Sequence, residues 1–245
     1  MGAGVPSPEH YLRVAVAPKT GSITRMRRFE LVIFDCDGVL VDSELITNRV
    51  FAALLQELGL PLTPEFIFEN FVGRSMQQCW EQVAGMLGKE VPEHWRHEFQ
   101  LRTTAALAAE VQAVHGIEAV LDSLQVPYCV ASSGSHAKMA TTLGATGLLP
   151  RFSGRIFSAT DVARGKPAPD IFLHAASRCG VQPRDCAVIE DSPAGVAAGV
   201  AAGMTVYGYC ACTHEPRLLE AGAHYTFNSM AKLPALLCGP YTESR

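Results

Sequence analysis

The sequence is short of several things, and each shortage removes a class of protein. Lysine and arginine total 20 against 24 aspartates and glutamates, a net charge of −4. No basic excess is available to track a nucleic-acid backbone. The eight cysteines (36, 79, 129, 179, 186, 210, 212 and 238) never fall in a Cys-x-x-Cys spacing. They read as reduced thiols of a cytoplasmic protein, not as a disulfide frame or zinc site. Cys210 and Cys212 are too close for a usual zinc pair and read as small apolar filler. The eight histidines show no ligand spacing either, and His94 and His97 read as a surface pair on a helix. Residues 1–26 lack both the apolar core of a signal peptide and any period. They are expected to be an extension outside the fold, with Met26 a candidate second start. The uncharged stretch from Ser192 to Thr213 is diluted by glycine and tyrosine. Gly195, Gly199 and Gly203 fall four apart on one helical face, and Pro193 suits a first turn. That pattern predicts a helix packed closely on a sheet, followed by a strand, rather than a membrane span. Neither a membrane nor a nucleic-acid partner is expected.

What is present is enough apolar residue for a full core: 48% of 245 residues. "FELVIF" (29–34) is almost continuously apolar, the mark of a strand covered on both faces. "PYCVAS" (127–132), "DCAVIED" (185–191) and "TVYGY" (205–209) repeat the pattern. Helical patterns follow at 135–146, 168–180 and 192–203. The alternation predicts an α/β fold with a doubly wound, parallel, Rossmann-like sheet. Residues 44–112 break the rhythm with helical stretches at 44–59, 75–88 and 93–112 and no evident strand. Val50, Leu54, Leu55 and Leu58 form one stripe there. Phe66, Phe68, Phe71, Trp80 and Trp95 are expected to pack between the helices. The expected organisation is a core of 27–43 and 113–245, interrupted by an all-helical cap of 44–112.

In such a sheet, ligands sit at the carboxyl ends of the strands. The first strand ends in Asp35 and Asp37, the second in Ser132, Ser133 and Gly134, and the third in Glu190 and Asp191. Lys166 stands in "GKPAPD", just before a helix. Gly38 and Gly134 let backbone amides approach an anion. Two unit charges 4 Å apart repel by about 4 kcal/mol at an effective dielectric near 20. Crowded carboxylates therefore call for protonation or for a hard cation, and oxygen ligands with phosphate suit Mg²⁺. The chemistry this supports is phosphoryl transfer. Asp35 would attack phosphorus, and Asp37 would protonate the leaving oxygen and then activate water. Lys166, Ser132 and backbone amides would hold the remaining phosphate oxygens. Blander readings exist: the aspartates as turn formers, Lys166 as a surface lysine, and Ser132 and Ser133 as caps of the helix beginning near Ser135.

Four motifs in order, "FDCDGVLVDSE", "VASSGS", "GKPAPD" and "VIEDSPAGVAAG", resemble the haloacid dehalogenase superfamily, in its β-phosphoglucomutase-like subfamily. The resemblance spans about residues 27–230. It implies Mg²⁺ held by the Asp35 carboxylate, the Asp37 carbonyl and Asp191, with Glu190 in or beside the metal shell. It also implies that the helical insert closes over the substrate and excludes water. Asp37 argues for phosphate over halide chemistry. The mutases of the subfamily carry a histidine where Thr47 stands and an arginine where Met76 stands. These departures favour hydrolysis. The first insert helix also lacks the lysine of the family's phosphonate hydrolases. Further agreement, including "YGYCAC", is with bacterial 6-phosphogluconate phosphatases, and implies a small sugar or sugar-acid phosphate as the substrate. Arg74, in "FVGRS", is the candidate for a substrate carboxylate or hydroxyl cluster, with a solvated loop arginine as the plain alternative. Glu44 is placed at the start of the insert, capping its first helix or lining the hinge. The expectation is a monomeric Mg²⁺-dependent phosphatase of a small phosphorylated metabolite. The alternatives are a phosphosugar mutase and a non-catalytic phosphate-binding protein.

Overall fold

The computed structural model describes residues 29–71 and 76–238. The expectations for residues 1–26, for Arg74 and for the Phe68 side chain lie outside the described residues. Six strands form one parallel sheet: β1 (Leu31–Phe34), β2 (Tyr128–Ser132), β3 (Ile156–Ser158), β4 (Cys186–Glu190), β5 (Thr205–Tyr209) and β6 (Tyr225–Phe227). Their order is β3-β2-β1-β4-β5-β6. The chain winds outward from β1 on one side, then crosses to β4 and winds outward on the other. This is the doubly wound arrangement expected from the sequence, with its switch point beside β1. The four inner strands are those the apolar runs predict. β3 and β6 are three residues each and each includes a polar residue, Ser158 and Thr226, so they offer no continuous apolar run to read.

Alternation along each strand feeds two separate cores. Val32 and Phe34 of β1 face one layer with Val130, Ile189 and Tyr207. That layer is covered by α5 (Ile117–Ser123), α6 (His136–Ala145) and α10 (Leu233–Cys238). Leu31 and Ile33 face the other layer with Cys129, Ala131 and Val188. There they meet α7 (Asp170–Cys179), α8 (Pro193–Ala201) and α9 (Glu215–Glu220). The glycine spacing in α8 has the expected reason. A Cβ on Gly199 would stand 2.7 Å from Val206 Cγ2, so only glycine lets the helix lie this close to β5. No helix among the described residues is long and apolar enough to cross a membrane.

Between β1 and β2 the described chain is helical, in α1 (Glu44–Glu57), α2 (Pro64–Phe71), α3 (Met76–Leu87) and α4 (Glu93–Glu110). These helices enclose a core of their own. Phe51 is its centre, meeting the rings of Phe71, Trp80 and Phe99 at 5.3, 5.2 and 5.4 Å, all edge to face. The apolar stripe of α1 is therefore Phe51, Leu54 and Leu55, with Val50 and Leu58 at its margins. Burying each of these side chains contributes roughly 1.5–3 kcal/mol. α4 serves both cores, since Phe99 lies in the helical cluster and Leu107 in the sheet's. α2, which begins at Pro64, is a helix where the sequence pattern suggests a connection. Proline is tolerated in a first turn, so its presence did not forbid the helix. Trp80 is buried in the helical core, Trp95 packs at its edge, and His94 and His97 are exposed.

Candidate active site

Backbone register assembles the site. Phe34 lies level with Val130 on one side and Ile189 on the other. Asp35, Ser132 and Glu190 therefore emerge from one end of three adjacent strands. The Asp35 amide donates to Ile189 O at 2.9 Å, which holds the chain in register one residue past β1. A turn follows, closed by Leu40 and Val41 amides donating to Cys36 O. Gly38 makes that turn with φ +77, where a side chain would be strained. A Cβ there would also lie 1.9 Å from Asp191 Oδ2, so the Asp191 carboxylate rests directly on Gly38.

Lys166 is the hub of the charged cluster. Its ammonium donates to Asp35 Oδ1 at 2.5 Å, Glu190 Oε1 at 2.7 Å and Ala131 O at 3.1 Å. All three N–H bonds are thereby engaged. The nitrogen also sits 4.9 Å from the centre of the Phe172 ring. Burial works against the charge on Lys166, but Asp35 and Glu190 raise its pKa above the usual lysine range. Glu190 is fully engaged as well. Its Oε2 accepts from the Ser192 amide at 2.9 Å and the Ser192 hydroxyl at 3.0 Å, over the first turn of α8. Gly195 makes room, since a Cβ there would stand 1.7 Å from Oε1.

Asp37 is pinned on both oxygens. Ser43 Oγ donates to Oδ1 at 2.6 Å, and Lys138 Nζ donates to Oδ2 at 2.7 Å. Ser43 is the N-cap of α1, yet its side chain does not cap the helix. A serine that caps is worth about 1 kcal/mol, so this hydroxyl forgoes local stability to hold Asp37. Burial pushes the Asp37 carboxyl up, but Lys138 and Ser43 outweigh it and hold it below the usual carboxylate range. Burial raises Asp35 to about 7, with Lys166 opposing and Glu190 and Asp37 adding to the rise.

Asp191 is different. It is 5% exposed, and among the described residues no hydrogen bond or ion pair reaches its carboxylate. Burial, then Glu190, Glu44 and Asp35, hold it well above the usual range. Glu44 is raised by burial and by Asp37, Asp42 and Glu190. Five carboxylates thus face the ammonium groups of Lys138 and Lys166. An unpartnered buried carboxylate beside Asp35 fits a hard cation. The expected set takes two carboxylates, Asp35 and Asp191, with the Asp37 backbone carbonyl and with Glu190 in or beside the shell; both Glu190 oxygens are already engaged. Among the described residues no trio of His, Cys, Asp or Glu is gathered to hold a metal. The geometry leaves Asp35 and Asp191 as the side chains able to hold one, which suits Mg²⁺ because that ion keeps several waters and phosphate oxygens.

Ser132 is buried and its hydroxyl accepts from the Gly134 amide at 3.0 Å. Gly134 O in turn accepts from Ser158 Oγ at 2.7 Å, which fixes the loop. Ser133 is exposed at the mouth. Ser135, not Ser132 or Ser133, caps α6, accepting from the Lys138 amide at 3.2 Å. Lys138 and Ser43 are the site residues that sequence reasoning misses. Lys138 sits one helical turn into α6, and a lysine among polar helix residues gives no signal of its target. Beside Asp37 lies a cavity of about 150 Å³, room for about five waters at ~30 Å³ each. It is walled by Lys138 and Ser43 on one side and by Glu44, Thr47, Asn48 and Phe51 of α1 on another.

The haloacid dehalogenase-like hydrolase family model matches residues 29–203, most of the chain. The chain belongs to the haloacid dehalogenase-like hydrolase family. A 6-phosphogluconate phosphatase of Escherichia coli K12 is 34% identical over 212 residues, covering 86% of this chain and 96% of that protein. This bears out the resemblance read from the motifs, and the family member is an enzyme of the phosphatase type. A haloacid dehalogenase-like protein of Agrobacterium tumefaciens superposes with a TM-score of 0.79 at 37% identity, covering 85% of this chain and 97% of that one. A family hydrolase of Deinococcus radiodurans, with bound phosphate and sodium, gives a TM-score of 0.73 at 33% identity, covering 86% and 96%.

Proposed function

We propose that this hydrolase is a Mg²⁺-dependent phosphatase of small sugar or sugar-acid phosphates that works through an aspartyl phosphate on Asp35. The observation that carries the reading is the pair Asp35 and Asp191. One is a carboxylate held by Lys166 through Oδ1, and the other is buried, rests on Gly38 and has no hydrogen-bond partner among the described residues. Asp35 and Asp191, with the Asp37 carbonyl, would hold the metal. Once bound, Mg²⁺ supplies positive charge that offsets the crowded carboxylates and the incoming phosphate. Glu190 is reassigned from ligand to positioning group, because both its oxygens are engaged by Lys166 and Ser192.

The chain's own residues then divide the work. Lys166 restrains Oδ1 of Asp35, which leaves Oδ2 to attack phosphorus. As the new Asp35–phosphorus bond forms, the ester oxygen departs and takes a proton that Asp37, a carboxylate in the free site, relays from the P–OH of the monoanionic ester, which returns Asp37 to its ionised form. Asp37 next accepts a proton from water as that water attacks phosphorus, which breaks the bond to Asp35 and releases phosphate. Ser132 and the amides of the turn and of the Ser133–Gly134 loop would hold phosphate oxygens. The helices of residues 44–110 would form the cap that shields this exchange from solvent. Thr47, where the mutases carry a histidine, lines the cavity and offers no strong acid or base, which favours hydrolysis over phosphate return to a sugar. The relative's activity on 6-phosphogluconate supports a phosphorylated sugar acid as the first substrate to try.

Release of phosphate from p-nitrophenyl phosphate, with EDTA and with Mg²⁺ restored, tests the reading. Turnover should vanish with EDTA and return with Mg²⁺. Full activity in EDTA would remove the metal from the mechanism, and no turnover under either condition would leave a binding protein.

A further inference from the structure

Lys138 carries an inference beyond its grip on Asp37. It stands on the wall of the cavity beside Asp37, the group that would pass a proton to the leaving oxygen. An ammonium has three N–H donors. Among the described residues one of them is engaged, by Asp37 Oδ2 at 2.7 Å. Lys166 is the opposite case, with all three donors engaged and its side chain 4% exposed. The Lys138 side chain is 33% exposed toward the cavity. The rest of the wall is polar in Ser43, Thr47 and Asn48 and apolar in Phe51, Phe71 and Cys79. Lys138 is its one cation among the described residues, and Glu44 places a carboxylate on the facing helix. Among the described residues, the favourable position for an anionic group in this space is against Lys138 and away from Glu44.

We propose that Lys138 is a specificity-determining residue, whose free donors bind a carboxylate on the leaving-group side of the substrate while it holds Asp37 in place. The inference rests on the phosphatase reading above and narrows it. It selects phosphorylated sugar acids over the neutral sugar or polyol phosphates of the same length. Asp37 stays bound to Ser43 through its other oxygen, so the acid keeps its position when Lys138 shares its charge with the substrate. A charge-assisted hydrogen bond is about twice as strong as a neutral one, which is why one lysine can separate two otherwise matched substrates.

The test compares gluconate 6-phosphate with glucitol 6-phosphate, which differ at the far end by a carboxylate in place of an alcohol. Wild-type kcat/KM should favour the acid by about tenfold or more. Lys138→Gln keeps a hydrogen-bond donor for Asp37 and removes the charge. It should lower kcat on both substrates alike, raise KM for the acid alone, and bring the ratio close to one. Lys138→Arg should restore most of the preference. The proposal is overturned by equal wild-type use of the two substrates, or by a ratio that survives in Lys138→Gln. In both cases hydrolysis itself continues, so the phosphatase reading stands. If neither compound nor p-nitrophenyl phosphate is turned over, the phosphatase reading fails first. If Lys138→Gln does not fold, the ratio in Lys138→Arg decides: loss of the preference in that charged variant overturns the inference, and its retention supports it.

Discussion

The sheet residues of the candidate site and the helical residues of the cavity beside it are positioned by different means. On the sheet side, Asp35, Ser132 and Glu190 leave three parallel strands whose register is set by backbone hydrogen bonds. On the helical side, Glu44, Thr47, Asn48 and Phe51 ride on α1, which is held by an aromatic cluster around Phe51. A ladder of hydrogen bonds fixes spacing whatever the side chains are. A packed cluster fixes it only as well as the rings fit. Under the proposed mechanism, the groups that align with phosphorus sit on the first kind of support, and those that would meet a variable leaving group sit on the second. Charge divides the same way. The sheet side gathers carboxylates that repel, and the helical side is stabilised by apolar burial.

Asp35→Asn should break the comparison most severely, because it removes the reacting group and leaves both supports intact. We expect kcat to fall by about 10⁴-fold or more, with no loss of melting temperature. Residual turnover within tenfold of wild type would contradict the role given to Asp35.

Equal truncations on the two sides come next. Phe51→Ala and Phe34→Ala each remove a buried ring at a cost of about 3–5 kcal/mol. Phe51→Ala should speed amide exchange in α1 to α4 while β1, β2 and β4 stay protected, and Phe34→Ala should speed it throughout. Identical exchange patterns would mean the helices and the sheet unfold as one unit.

Asp191→Asn sharpens the electrostatic half. In EDTA, Asp191 has a folded pKa raised by burial and by Glu190, Glu44 and Asp35. The folded state therefore binds more protons than the unfolded one above about pH 4. The stability this proton contributes is complete below that value. It is lost as pH rises toward the folded pKa, at up to about 1.4 kcal/mol for each pH step of one. Asp35, raised to about 7, acts in the same direction. Wild-type melting temperature in EDTA should fall between pH 5 and 8, and Asp191→Asn should flatten the slope. A flat wild-type profile would show that these carboxylates are not uncompensated.

The smallest effect belongs to the surface. Arg49 meets both oxygens of Glu110 at 2.7 and 2.8 Å, joining α1 to α4, but the side chains are 60% and 46% exposed. Arg49→Ala should cost less than about 1 kcal/mol, a melting shift of at most about 2–4 °C in a chain of this length. A larger shift would give charge a part in holding the helices that the aromatic cluster otherwise fills.

Much of the fold is legible in the sequence, for reasons that particular residues make plain. The inner strands announce themselves because each is buried on both faces and reads as an unbroken apolar run. α8 is legible because a helix lying this close to a sheet demands glycine at Gly195 and Gly199. The short edge strands β3 and β6 are not legible, since three residues are too few to show a pattern. α2 is hidden by Pro64 at its own first turn. Asp35, Asp37, Lys166, Glu190 and Asp191 can be named as a group because they fall in four motifs that occur in order, the acidic ones at the ends of apolar runs.

The amino-acid order alone determined which residues end the strands, and so which carboxylates would crowd together, because period and apolar run length are local properties of the chain. Tertiary structure alone decided how those charges are shared: Lys166 to Asp35 and Glu190, Lys138 and Ser43 to Asp37, and no hydrogen-bond donor among the described residues to Asp191. The partners are far apart in the chain, and a hydrogen bond depends on fractions of an ångström that no local pattern encodes.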